Sequence, residues 1–300
     1  MFTNFRNSAV LTVLIVLVNV AAAAAQARVG TRAQGMAGAF VAVADDATAV
    51  YWNPAGIATG AFVSAVADFG AERDQKSAFV GVSATAFGLA YYRAEAYGTR
   101  VSATAVTSVP GREEVGHSVH ALTTSVAGVS VVQSLSEHVV VGATPKLMRA
   151  VMMDASSTRG DVDAGAMFYA SRVRVGVVAH NLTAPEFNGL ALKREVRAGA
   201  AVGSGWTGAS RVIVSADADL NSRPAPDGER RDIAGGVETW WLNQRLAVRG
   251  GVSRSTIGEG RAAVAAGMSA GLKPGVLLEA HVTRGDRMQR SWSVGARMSF

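Results

Sequence analysis

The side chains able to do chemistry are few and scattered. The five histidines, His117, His120, His138, His180 and His281, show no metal-ligand spacing. On an extended segment His117 and His120 face opposite sides, being three residues apart. The chain has no cysteine, which removes thiol nucleophiles, disulfides and lipid attachment through an N-terminal Cys. No Gly-x-Ser-x-Gly elbow and no phosphate-cradling Gly-x-x-x-x-Gly-Lys-[Ser/Thr] loop occurs. "GATPK" at Gly142–Lys146 reads only as a strand carrying a proline. The residues therefore nominate no catalytic group, no metal site and no cofactor, and an enzyme is not expected.

One dense constellation is present, "GMAGAFVAVADDATAVYWNPAGIA" from Gly35 to Ala58. Gly35, Ala37, Gly38 and Ala39 lack bulk and allow close backbone approach to a wall, while Phe40, Val41 and Val43 can pack inward. Asp46 is the expected N-cap of a short helix beginning at Ala47, with Asp45 favoured at the same positive end. Asn53 precedes a proline and is pushed out of the helical region, so the helix should stop there. Pro54, Ala55 and Gly56 then form a turn that hands the chain to the first strand.

The elements that must hold this stretch are strands. After Gly60 the sequence alternates apolar and polar residues between turns at short intervals. In "SWSVGARMSF", Trp292, Val294, Ala296, Met298 and Phe300 fall on one face, and Ser291, Ser293, Gly295, Arg297 and Ser299 on the other. The same reading gives fourteen strands, near 62–70, 77–85, 88–97, 117–134, 138–152, 160–170, 172–182, 193–203, 210–221, 230–242, 245–254, 261–271, 276–286 and 290–300. Two longer loops are expected, Gly98–Gly116 and Asn221–Arg231, with tight turns elsewhere.

A soluble sandwich and a membrane barrel both fit alternating strands. The polar face here is Gly, Ser, Ala and isolated charges, where a solvated sandwich face carries Lys, Glu and Thr. Consecutive hairpins without a long crossover suit an up-and-down barrel. The chain also ends on Phe300, like the C-terminal aromatic signal that the barrel-assembly machinery reads on outer-membrane barrels. The expected fold is all-β: a 14-stranded antiparallel up-and-down transmembrane β-barrel, with residues 28–60 as an N-terminal hatch in its lumen and residues 61–300 as the wall.

In such a barrel Arg172, Arg174, Arg197, Arg211, Arg249, Arg297, Asp217, Asp219, Glu238 and Glu279 line the lumen. They either steer anionic head groups along a polar path or pair with one another and with Asp45, Asp46 or Asn53 to fix the hatch. Pairing is favoured, because charges away from bulk water are usually paired. Trp240 and Trp241 are adjacent, so one faces out, where membrane-interface anchoring accounts for it.

Composition agrees with this class. The chain has 300 residues, 33 glycines, seven prolines and a net charge of +6. Its basic residues are single and strand-spaced, without a Lys/Arg run or interleaved aromatics, so nucleic acid is not an expected partner. Residues 1–27 read as a cleaved secretory signal: Arg6 is the positive region, Ala9–Val20 the apolar run and Ala25-x-Ala27 the cleavage site. That run of about twelve residues is short of the roughly twenty a spanning helix needs. The expected location is the bacterial outer membrane, with its lipid as the first partner.

The stretch from Gly35 to Ala58 resembles the N-terminal signature of the FadL-like outer-membrane barrels, closest to the PorV/PorQ branch. Members typically read Gly-Met-Gly-Gly-Ala-Phe, then Val-Ala-Asp-Asp, then Tyr-Trp-Asn-Pro-Ala-Gly-Leu; Ala37 stands where many have Gly. The resemblance implies a fourteen-stranded barrel whose hatch is built from Gly35, Gly38, Phe40, Asp45, Asp46, Trp52, Asn53, Pro54, Ala55 and Gly56. It further implies transport of a hydrophobic or amphipathic small molecule, such as a long-chain fatty acid. The alternative it carries is a component of type IX protein secretion that binds cargo or translocon.

Overall fold

In a computed structural model of the chain, residues 29–72, 75–101, 118–152, 155–187, 190–205, 210–225, 228–258, 261–286 and 290–300 are described. The expected signal at 1–27, the first hatch residue, most of the 98–116 loop and His117 lie outside them.

Fourteen strands form one closed antiparallel barrel. They are β1 (Val63–Glu72), β2 (Gln75–Ala84), β3 (Phe87–Val101), β4 (Ser118–Ser134), β5 (Val139–Met152), β6 (Ala155–Ala170) and β7 (Val173–His180), then β10 (Glu195–Gly203), β11 (Arg211–Asp219), β14 (Asp232–Trp241), β15 (Leu246–Ser255), β16 (Ala262–Lys273), β17 (Val276–Gly285) and β18 (Arg290–Ser299). Four further short strands make two hairpins within connections, β8 (Glu186–Phe187) with β9 (Leu190–Ala191), and β12 (Arg223–Ala225) with β13 (Gly228–Arg230). Each barrel strand pairs with its sequence neighbours, and β1 closes on β18 from Ser64↔Ser299 to Glu72↔Ser291. Phe300 and Val63 exchange backbone hydrogen bonds at 2.9 and 3.0 Å across that junction.

One end of the barrel carries short turns, such as 171–172 and 274–275. The other carries the longer connections, including 181–194 and 220–231; these ends are called the turn side and the loop side. The 181–194 connection corrects an expected tight turn. β7 stops at His180, where Asn181 takes a left-handed φ of 57°, and β10 starts only at Glu195.

Alternation sets the two faces. In β18, Trp292, Val294, Met298 and Phe300 are exposed, while Ser293 and Arg297 are buried inside. With no water in hydrocarbon, a closed ring that satisfies every ladder bond is the strand arrangement able to cross a membrane. The inner face is less uniformly polar than alternation implies: Phe79, Met148, Met167, Ile213 and Trp240 point inward and are buried. They do so because the lumen is filled by protein. Residues 29–60 lie inside the ring; Met36, Ala37 and every residue from Ala39 to Ala44 are at most 5 % exposed, and Gly38 between them is also buried.

Candidate functional site

The enclosed segment is built from short turns against the wall. Helix α1 (Thr31–Gly35) packs on β16 and β17, where a side chain at Gly35 would meet the Arg249 stem and the Gly267 Cα. Ala37 and Gly38 then reverse the chain with φ of 56° and 80°, which accounts for glycine being the less strained residue at the Ala37 position. Asp217 fixes the next step, its Oδ2 accepting the N–H groups of Phe40 and Val41 at 2.8 and 2.9 Å. The Ser215 hydroxyl donates to the Ala39 carbonyl at 2.7 Å.

Helix α2 spans Ala49–Trp52, two residues later than the expected start. Asp46 is not its N-cap: its Oδ1 accepts from the Thr48 N–H and hydroxyl at 2.9 and 2.5 Å, closing a turn ahead of the helix. The helix ends at Trp52 as the following Asn-Pro pair requires. Beyond it Pro54–Thr59 forms a 3-10 helix, longer than the expected turn.

Asn53 is fully buried at the centre. Its Nδ2 donates to the carbonyls of Val41 (3.1 Å) and Ala166 on β6 (3.3 Å), and its Oδ1 accepts the Ala55 N–H at 3.2 Å. One side chain thus joins the Val41 stretch, its own turn and the β6 wall. The wall makes room with glycine. A Cβ at Gly165 would sit 2.1 Å from Asn53 Oδ1, one at Gly176 2.9 Å from Asn53 Nδ2, and one at Gly142 2.8 Å from Ala55 N. Gly56 is as tightly held, 1.9 Å separating its would-be Cβ from the Ala44 carbonyl oxygen. Trp52 donates its indole N–H to the Val29 carbonyl at 2.8 Å, and its ring meets Phe40 edge-on at 6.0 Å.

The lumen charges pair, and the organising cation is Arg32, which sequence reasoning had not singled out. It contacts Glu238 at 2.7 and 2.8 Å, Asp45 at 2.5 Å and Asp46 at 3.2 Å, with its guanidinium 5.1 Å from the Phe40 ring. Burial alone would lower its pKa, but the Asp45, Glu238 and Asp46 carboxylates hold it well above the ordinary value. Burial likewise pushes Asp45 up, and Arg32, Arg174 and Arg211 bring it below the usual carboxylate range. The chain of pairs continues through Arg174–Asp45 (3.5 Å), Arg249–Glu238 (3.2 Å), Arg249–Glu279 (3.7 Å), Arg297–Glu279 (3.1 Å) and Arg297–Asp46 (3.6 Å). Arg249 also donates to Ser269. Arg197 binds Asp219 (2.9 Å), Asp217 (3.3 Å) and the Gly38 carbonyl (3.0 Å). Trp240 faces in, under the guanidinium groups of Arg211, Arg249 and Arg297 at 5.1, 5.9 and 5.2 Å, while Trp241 faces out. Arg172, expected in the lumen, is instead exposed in the β6–β7 turn.

A second polar cluster was also missed. Lys146 binds Asp163 (2.7 Å), Asp161 (3.2 Å) and Asn181 (3.2 Å), and His180 Nδ1 lies 3.1 Å from Asp163 with its ring stacked on Tyr51. Thr144 and Lys146 are buried on the inner face of β5, and the pairing of β5 with β6 sets Lys146 against Asp161; the sequence reading of this stretch went no further than a strand carrying a proline. Tyr51 separates two recesses above α2. One is small and lined by Tyr92, Lys146 and Asp163. The other is a narrow cleft of about 40 Å³ lined by Trp52, His180, Glu195, Asp219 and Arg223.

On the outer surface beside Asn53, Val131, Val141, Ala143, Ala164, Ala166 and Ala179 frame an open apolar groove of about 570 Å³. Pro145 has no N–H to give the ladder, and β4–β5 pairing passes from Gly128↔Lys146 directly to Val131↔Ala143.

No protein-family model matches the chain, and no curated protein does. Solved structures do match. One described as the CymD monoaromatic hydrocarbon channel has a TM-score of 0.65 at 12% identity, over 91% of this chain and 97% of that one. The Ralstonia pickettii toluene transporter TbuX scores 0.62 at 10% identity, over 91% and 98%. A deletion mutant of the TodX monoaromatic hydrocarbon channel scores 0.56 at 10% identity, over 84% and 94%. These likenesses establish the fold, a closed antiparallel 14-stranded β-barrel.

Proposed function

We propose that this chain is a bacterial outer-membrane barrel that passes a hydrophobic or amphipathic small molecule, of long-chain fatty-acid character, through a lumen gated by its N-terminal hatch. On this reading residues 1–27 are a cleaved signal, 28–60 the hatch and 61–300 the wall, with Phe300 the signal to the assembly machinery. The hatch residues from Gly35 to Gly56 form the gate. Arg174, Arg197, Arg211, Asp217, Glu238, Arg249, Glu279 and Arg297 hold it shut rather than lining a conducting path.

The observation that carries this reading is where the Asn53–Pro54 turn rests. It presses on the barest stretch of wall, with Gly142, Gly165 and Gly176 inside, an apolar groove outside and a ladder interrupted at Pro145. Moving that turn would uncover a route for an apolar molecule between lumen and bilayer. The fold shared with structures described as a monoaromatic hydrocarbon channel and a toluene transporter supports a hydrophobic ligand, without favouring a fatty acid over an aromatic one. The test is uptake of a long-chain fatty acid or hydrocarbon into vesicles holding the purified barrel. Loss of uptake in Asn53→Ala and Pro54→Ala is expected; normal uptake after deletion of residues 28–58 would overturn the hatch mechanism.

A PorV/PorQ-like role in type IX secretion is the second reading, favoured by the local signature and by the density of ion pairs locking the segment. Recovery of secretion components with the solubilised barrel, together with absent uptake, would select it.

A further inference from the structure

The outer wall differs from one end to the other. Its turn-side end carries exposed Phe62, Phe87, Phe168, Trp241 and Phe300. Its loop-side end carries exposed arginines, Arg149, Arg254, Arg284 and Arg290. Alternation aims all four outward: Arg290 shares a face with exposed Trp292, Arg284 with Val282, Arg254 with Val252 and Arg149 with Leu147. Lys76 and Arg93 join them on β2 and β3.

Two facts set this arc apart from an ordinary solvated edge. Arg284 and Arg290 stand directly opposite each other in the β17–β18 ladder, an arrangement that destabilises a strand pair unless a counter-charge is shared. Two of the carboxylates nearby are otherwise engaged, and a third, Glu72 opposite Ser291, lies three residues from outward Phe69 and so on the other face of β1. Glu95 pairs with Arg93 at 2.6 Å, and Asp286 accepts the Ala262 N–H at 2.8 Å. Among the described residues, none forms an ion pair with Arg149, Arg254, Arg284 or Arg290.

Depth identifies the missing counter-charge. Trp292 lies two residues closer to the barrel's middle than Arg290, about 7 Å along the strand, and Phe69, in edge contact with it at 5.9 Å, pairs with Val294 two residues further in. From Arg290 to Phe300 is ten residues, about 33 Å along a strand, or about 25 Å along the membrane normal at a tilt of about 40°, which matches the height of a barrel's apolar band. Interfacial aromatics mark the boundary of that band, so the arginines beyond them stand in the head-group layer.

We infer that this arc, running from β15 through the β18–β1 closure to β5, binds the phosphate groups of lipids in the loop-side leaflet, one phosphate bridging Arg284 and Arg290. Guanidinium groups suit phosphate oxygens through paired, charge-assisted hydrogen bonds. The inference needs the barrel to lie in a membrane and is independent of what the lumen transports.

The experiment is native mass spectrometry of the full barrel in non-ionic detergent, titrated with a diphosphorylated glycolipid, its dephosphorylated form or phosphatidylcholine. Selective retention of the diphosphorylated lipid is expected. Arg284→Gln/Arg290→Gln should weaken it about 25-fold, at about fivefold for each arginine at an anionic surface, and added salt should weaken it further. An Arg245→Gln/Lys273→Gln variant at the turn side should leave retention unchanged. Unaltered electrophoretic mobility of the unheated barrel shows that each variant is folded. Equal retention of the dephosphorylated lipid or phosphatidylcholine, equal retention by the Arg284/Arg290 variant, or equal weakening by the turn-side variant would overturn the assignment.

Discussion

Replacing Arg32 with methionine keeps an unbranched apolar stem and removes the charge around which the enclosed segment is organised. Its four contacts to Glu238, Asp45 and Asp46 vanish, leaving three carboxylates in a site where Arg32 itself is 1 % exposed. Removing one partner of a buried ion pair typically costs about 3–5 kcal/mol. Each carboxylate keeps one cation nearby, Arg249 at 3.2 Å from Glu238, Arg174 at 3.5 Å from Asp45 and Arg297 at 3.6 Å from Asp46. The lower end, about 3 kcal/mol, is therefore expected, equivalent to roughly a 150-fold rise in the population with a released segment. The assay is proteolysis of residues 29–60 in the folded barrel, with wall strands as the internal standard. The effect should depend on pH in a defined direction. In the wild type Asp45 sits below its ordinary pKa, so its contribution is present above about pH 4 and is lost as pH falls through the folded value. Without Arg32 the carboxylates are easier to protonate, so the defect should shrink toward pH 4. Protection of Arg32→Met within fivefold of wild type at pH 7 would refute the account of Arg32 as the organising charge.

Other substitutions test separate links. Gly165→Ala places a methyl 2.1 Å from Asn53 Oδ1; it should cost about 1–3 kcal/mol of segment docking, seen as faster proteolysis of residues 29–60 with the wall intact. Ala37→Gly relieves a left-handed φ of 56° and should raise the unfolding free energy by up to about 1 kcal/mol, seen as a higher urea midpoint, the strain relieved exceeding glycine's entropic cost. Leu278→Arg puts a charge midway between Trp292 and Phe300 on the outer face, beside Ala296. It should cost about 2–4 kcal/mol in refolding into lipid vesicles, and a change near zero would show that this face does not meet hydrocarbon.

The wall was legible because period-two alternation survives wherever one face meets lipid and the other the lumen. Where both faces meet water the signal fades although pairing continues. β6 begins at Ala155, five residues before the alternating part, because "ASSTR" is polar on both sides yet still pairs with β5 through Met152↔Ala155. The segment inside was legible as a motif, down to the helix stop at Trp52, but its chemistry was only half visible. Asp45 and Asp46 drew attention as a doublet; Arg32, a lone arginine among small residues, did not, and its partner Glu238 is 206 residues away. Inward Trp240, Met148 and Met167 contradict a polar lumen for the same reason: they pack on protein or on stacked guanidinium groups, and no local pattern announces a wall lined by its own chain.

The β1–β18 junction imposes a chronology on assembly. Thr31 bonds Ser293 across 262 residues, and Arg32 reaches Glu238, so the earliest-made part of the barrel's contents waits for partners made near the end. Admitting so many charges through a ring already zipped up would strip them of water before their partners are met, so docking against a sheet that is still open, with the ring sealing last, is the less costly order.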